Sequence, residues 1–152
     1  MARTPPPKPC IVVDTREQTP WSFDPDRVDT VVGTLRTGDY SLAGHTDDVA
    51  IERKSLDDLV GSLIQGRERF ERELERLRTF TLRAVIVEGS YLDIASHRYV
   101  SRAHPSAVFG SICCLHVDFS VPFLLADTRA IGARVAQRML IRYAENIAKV
   151  TT

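Results

Sequence analysis

The sequence predicts a three-layer α/β domain with a central mixed β-sheet flanked by helices. Three observations carry that expectation. Short β-branched runs fill the first third of the chain, and helical periodicity takes over at Ser55. The runs between the later helices are apolar throughout, as in strands covered on both faces. The length, 152 residues, suits one core and leaves little room for a second. The early strands are expected to pair as antiparallel hairpins and the later ones as parallel neighbours.

In chain order, Cys10 to Val13 reads as a first strand that ends at Asp14. Thr15 to Pro25, broken by Pro20 and Pro25, reads as loop. Val28 to Leu42 reads as one or two bent strands turning at Gly38, and Val49 to Lys54 as another. From Ser55 onward, Leu56, Leu59, Val60 and Leu63 share a helical face, and Ser55 with Asp58 has capping-box spacing. Arg67 to Phe80 places Phe70, Leu74 and Leu77 on one stripe and Glu–Arg pairs on the others. Arg83 to Val87 is an apolar strand that stops at Glu88-Gly89. A short helix over Tyr91 to Tyr99 and a longer one over His104 to Phe119, with Pro105 early, follow. Val121 to Ala126 is the last strand. Thr128 to Val150 is a closing helix capped by Asp127, with Ile131, Val135, Met139, Tyr143 and Ile147 on one face. A second stripe (Ala136, Leu140, Ala144, Ala148) makes that face wider than one sheet requires. The Pro-rich residues 1–9 are expected to form a flexible, extended tail, which leaves 10–152 as the domain.

Composition narrows the function. Lys plus Arg number 20 and Asp plus Glu number 20. A domain holding nucleic acid by bulk charge would be basic overall. Any nucleic-acid site must therefore be a local patch beside an acidic cluster with its own purpose. No run of about 18 apolar residues is present to span a membrane, and residues 1–9 lack the apolar core of a secretory signal. Cys10 and the adjacent Cys113 and Cys114 make neither a disulfide framework nor a zinc-ligand spacing. The expected setting is reducing and intracellular, without zinc.

The chemistry sits at strand ends. Asp14, Asp39 and Glu52 all fall there, and Glu52 and Lys54, two apart on a strand, project from the same face while Arg53 points the other way. Gly38 lets the chain turn sharply and aim Asp39 at a neighbouring strand. If those strands are adjacent, three carboxylates and one ammonium converge. Hard carboxylate oxygens suit Mg²⁺ and leave positions for water and phosphate, and a lysine beside them can orient the attacking water or stabilise the transition state. The competing reading is an exposed Glu52–Lys54 pair worth less than about 1 kcal/mol.

The written motifs are more particular than the spacing. The chain reads V-D-T-R-E at Val13 to Glu17, G-D-Y at Gly38 to Tyr40, and I-E-R-K-S-L-D-D-L at Ile51 to Leu59. The run G-S-L-I-Q-G-R follows at Gly61 to Arg67. Together these resemble the nuclease domain of the XPF family of structure-specific endonucleases, from about Cys10 to Val150. The resemblance implies a restriction-endonuclease-like fold and Mg²⁺-dependent hydrolysis of DNA at branched, flap or nicked structures, with Mn²⁺ as a substitute. It implies Asp39 and Glu52 as metal ligands, Asp14 completing the cluster directly or through water, and Lys54 as the catalytic lysine. Arg16, Glu17 and Arg53 would support the site. Asp58 matches the last acidic position of the signature, or serves only the cap with Ser55. The family typically works as dimers, so a homodimer or a pairing with a related subunit is implied. The tandem helix-hairpin-helix modules of many relatives have no counterpart here. No nucleotide cofactor is implied.

Arg67 and Arg69, closest to the signature, are the leading candidates for DNA backbone contact, which positions a duplex without reading its sequence. Trp21 and Phe23, on the loop after the first motif, either stack on an unpaired base or tuck onto the domain's own surface. The alternative to an active nuclease is a catalytically silent DNA-binding or dimer-partner module on the same fold.

Overall fold

The computed structural model describes residues 7–151. The elements follow the predicted order: β1 (Cys10–Asp14), β2 (Asp29–Gly33), β3 (Tyr40–Leu42), β4 (Val49–Ser55), α1 (Leu56–Ile64), α2 (Arg67–Leu77), β5 (Leu82–Glu88), α3 (Tyr91–Ala95), α4 (Pro105–Phe119), β6 (Phe123–Leu125) and α5 (Arg129–Val150). The strands form one mixed sheet in the order β2-β1-β3-β4-β5-β6. β1 with β3 and β3 with β4 are antiparallel, and β4, β5 and β6 run parallel. One pairing departs from expectation, because β1 and β2 are parallel. The long Thr15–Val28 connection returns the chain to the start of β1, so β2 enters in the same direction, with no hairpin turn to reverse it.

Alternation along the central strands creates the three layers. Val85 and Val87 of β5 pack with Ala50 and Phe123 against α1, α2, α3 and α4. Ala84 and Ile86 pack with Val49 and Ile51 against α5. These strands are covered on both faces, which is why their sequence does not alternate. Each fully buried Val, Leu or Ile contributes about 1.5–3 kcal/mol relative to exposure. At the sheet edge, β2 keeps Val31 and Val32 exposed.

Three local expectations need correction. Thr128, not Asp127, caps α5, its hydroxyl accepting from Ile131 N–H at 3.2 Å. Asp127 instead takes a left-handed turn (φ 66°) and donates its N–H to Gly89 O. The face of α5 that meets the sheet is Gly132, Ala133, Ala136, Leu140 and Ile141. Of the predicted stripe, Ile131 is exposed, while Val135, Met139 and Tyr143 are half-buried and pack at the margin of the same core. Small residues let the helix approach closely: a Cβ at Gly132 would stand 3.2 Å from the Trp21 ring. Finally, α2 ends at Leu77, short of Phe80, and α3 ends at Ala95, where His97 follows with φ 55°. Of the Pro-rich tail, the first six residues lie outside the described range. Lys8 and Pro9 are tied down, through Lys8 Nζ to Pro25 O and Asp29 N–H to Pro9 O.

Candidate active site

Backbone bonds bring the two signature carboxylates together. Gly38 has φ +81°, and a Cβ there would lie 3.1 Å from Ile51 O, so the tight turn needs glycine. It delivers Asp39 between β1 and β4. Asp39 N–H donates to Ile51 O at 2.8 Å, and Asp39 O accepts from Asp14 N–H at 2.9 Å. The carboxylate Oδ2 accepts from Arg53 N–H at 2.8 Å, which sets Asp39 beside Glu52. Strand alternation then sends Glu52 and Lys54 toward the α1–α2 side, with Lys54 Nζ 3.9 Å from Glu52 Oε1 and 5.0 Å from the centre of the Phe70 ring. These residues floor a groove of about 720 Å³, walled by α1 and by the start of α2.

The electrostatics are those of crowded, desolvated carboxylates. Burial pushes Glu52 up to about 8, helped by the charge of Asp39 and opposed by Lys54. Burial likewise pushes Asp39 up to about 6, against the Arg53 N–H bond that favours its charged form. Such a pair is a set of hard oxygen donors whose mutual repulsion a divalent cation relieves, and it suits Mg²⁺ or Mn²⁺. Among the described residues no three His, Cys, Asp or Glu side chains stand close enough to cage a metal ion. Asp39 and Glu52 would thus hold one with water or substrate oxygens completing its shell.

A pH dependence follows. The folded state keeps these two protons to higher pH than the unfolded chain does, so metal-free stability falls as pH rises from the ordinary carboxylate range toward about 8. Thermal melts without metal are expected to show a midpoint that declines over this window. Mg²⁺ should raise the midpoint more at pH 8 than at pH 5. Equal Mg²⁺ shifts at both pH values would contradict the paired-carboxylate site.

The third acidic residue, Asp14, lines a smaller pocket with Asp39 and Glu52 and is close enough to Asp39 for its charge to act on it. Asp14 is 2% exposed. Burial raises its pKa, but Arg16 and two N–H donors outweigh burial and hold it below the usual range. Its Oδ2 accepts from Arg16 Nε at 2.7 Å, and its Oδ1 from Leu35 N–H at 2.8 Å. Arg16 also donates to Leu35 O. Asp14 and Arg16 thus tie the end of β1 to the loop after β2.

On the opposite face of β4, Arg53 donates to Glu88 at 3.0 Å and to Glu17 at 3.2 Å. Its guanidinium lies 5.7 Å from the Trp21 ring, and Trp21 Nε1 donates to the same Glu88. Trp21 is buried and stacked on Tyr40 at 4.7 Å, so it packs onto the domain itself. Sequence reasoning did not place Glu88 in the site. Its signal was an acidic residue closing an otherwise apolar strand.

The remaining candidates divide. Ser55 caps α1 through the backbone N–H of Asp58 at 3.1 Å, and Asp58 lines the groove. Arg69 is exposed and lines the groove, with no ion pair among the described residues. Arg67 is placed elsewhere. It pairs with Glu71 at 2.9 Å and donates to Ser111 of α4 at 3.0 Å, pinning α2 to α4.

The ERCC4 domain family model matches residues 13–139, which takes in every residue of this site. The chain belongs to the ERCC4 domain family. Its XPF-like fold has solved counterparts: XPF from Aeropyrum pernix superposes with a TM-score of 0.68 at 24% identity, over 90% of this chain and 61% of that one. The same protein in complex with DNA gives 0.70 at 24% identity, over 91% of this chain and 66% of that one. A Methanocaldococcus jannaschii protein, MJ1505, named for an ATP-dependent RNA helicase, is 31% identical over 135 residues, 89% of this chain. The DNA repair endonuclease XPF of Cricetulus griseus is 43% identical over 63 residues, 40% of this chain. The ERCC4-domain chain spans only 15% and 7% of these two proteins. Among the described residues no helix is long and apolar enough to cross a membrane.

Proposed function

We propose that this domain is a metal-dependent endonuclease that hydrolyses DNA phosphodiester bonds at branched, flap or nicked structures. The observation that carries the reading is the convergence of Asp39, Glu52 and Lys54 on the floor of one open groove. Asp39 and Glu52 would hold a divalent cation, and the chemistry that ion would supply is activation of a water and neutralisation of charge on the phosphate. Mg²⁺ fits this role, with Mn²⁺ as substitute. Lys54, held over Phe70 beside Glu52, orients the attacking water or stabilises the charge that develops on the phosphate. Asp14, held by Arg16 and by Leu35 N–H and lining a smaller pocket with Asp39 and Glu52, completes the acidic cluster directly or through water. Arg69, together with the polar side chains of Ser62 and Gln65 on the groove wall, meets the DNA backbone. The names of the Cricetulus griseus and DNA-bound Aeropyrum pernix relatives support DNA as the substrate. The exposed Ile131, on an α5 whose apolar face is wide, supports pairing with a second copy or a related subunit.

The test is cleavage of labelled flap, fork, nicked and plain duplex DNA in Mg²⁺ or Mn²⁺, beside Lys54→Ala. Wild type is expected to cut the branched substrates in preference to plain duplex. Lys54→Ala should lose about 100-fold or more while still binding them. Binding without cleavage by wild type in either metal would sink the nuclease reading and leave a silent DNA-binding partner module.

A further inference from the structure

The loop from Thr15 to Pro25 has no regular structure, yet its tip, Gln18 and Thr19, forms one rim of the groove. Bonds from two directions hold it there. From β4, Arg53 Nη1 donates to Thr19 O at 2.9 Å. From α5, Arg129 Nη2 donates to the same Thr19 O and to Pro20 O at 2.8 Å. Farther along α5, Gln137 Oε1 accepts from Asp24 N–H at 2.8 Å, and Gly132 makes room for the Trp21 ring. The exposed Arg129 lies far outside the signature in sequence, and its role in this contact is to share one carbonyl with the signature arginine.

We infer that Arg129 is a positioning residue for the groove: with Arg53 it fixes the Thr19 carbonyl and so sets where Gln18 and Thr19 meet the DNA strand. The DNA part of this inference rests on the nuclease reading; the clamp itself does not. A loop ordered during folding does not have to be ordered again when DNA binds, so its entropy is not charged against affinity. Gln18, exposed at the groove with an amide that both donates and accepts, is the side chain so presented.

The chain contains one tryptophan, Trp21, and it lies in this loop, so fluorescence reads the clamp directly. The experiment uses the full chain as wild type, Arg129→Ala, Arg129→Lys and Gln18→Ala. Three quantities are measured: acrylamide quenching of Trp21, Kd for a labelled flap DNA with Ca²⁺ replacing Mg²⁺, and kcat and KM for cleavage in Mg²⁺. Arg129→Ala is expected to raise the quenching constant about twofold and to weaken Kd and KM about fivefold, with kcat within about twofold. Arg129→Lys, which keeps a donor to the carbonyls, should recover most of both effects. Gln18→Ala should reproduce the affinity loss with quenching unchanged. Unchanged quenching in Arg129→Ala overturns the clamp, and raised quenching with Kd and KM unchanged overturns the positioning role. A wild type that binds DNA but cuts nothing sinks the nuclease reading alone, and quenching and Kd still decide this one. A wild type that does not bind DNA at all overturns the nuclease reading and the positioning role together, and quenching then decides the clamp alone.

Discussion

On the proposed metal site, replacing Asp39 by Asn is expected to slow cleavage of flap DNA by about 1,000-fold or more in Mg²⁺, because the change would remove one of the two charged oxygen ligands assigned there. The substitution is chosen to spare the fold. Asn has nearly the same shape and keeps an acceptor for Arg53 N–H, the bond that fixes residue 39 against β4. It also removes a charge that pushes Glu52 upward. The metal-free variant should therefore melt higher than wild type at pH 8, while the stabilisation that Mg²⁺ gives wild type should shrink. Opposite signs for activity and stability separate loss of a ligand from loss of structure. Cleavage within about tenfold of wild type would overturn the assignment of Asp39 as a ligand.

Arg53→Ala is expected to reduce stability by about 3–5 kcal/mol, the cost of removing one partner from a buried ionic network. The side chains of Arg53, Glu17 and Glu88 are only 14%, 12% and 9% exposed. Without the guanidinium, two carboxylates are left facing each other beside Trp21. For a chain of this length such a loss lowers the thermal midpoint by about 6–20 °C. Urea unfolding gives the figure directly. A second variant isolates the mechanism: Arg53→Met combined with Glu88→Gln removes charge from both sides and should recover much of the loss. Stability within about 1 kcal/mol of wild type would show that Arg53 is not the structural tie described here.

The order of elements was legible because its signals are local. Continuous apolar runs mark β4 and β5, and a 3.6-residue apolar period marks α2, within a few residues of their observed ends. Gly38 before Asp39 announced a turn, and the two-residue offset of Glu52 and Lys54 placed both on one face whatever the neighbours were. The parallel β1–β2 pair was not legible, since pairing direction depends on where a long connection returns, which no local pattern records. On α5, the two apolar stripes made one face wider than a sheet requires, and the pattern did not say which part of it the sheet would cover. At Gly132 the Trp21 ring already occupies the space a larger residue would need, and Ala133 and Ala136 are buried beside it.

The arginines mark the boundary most clearly. Sequence distinguishes a cation from a neutral residue, but not whether its partner is a nearby carboxylate, a carbonyl or a phosphate. Arg16 and Arg67 are engaged within the domain, by Asp14 and by Glu71 with Ser111. Arg69, two residues on from Arg67 and so on the other side of the helix, faces the groove. Chemical types and their spacing along each strand or helix are properties of the chain alone. Which charges are spent inside and which remain for a ligand depends on partners tens of residues away, and only folding brings those partners within reach.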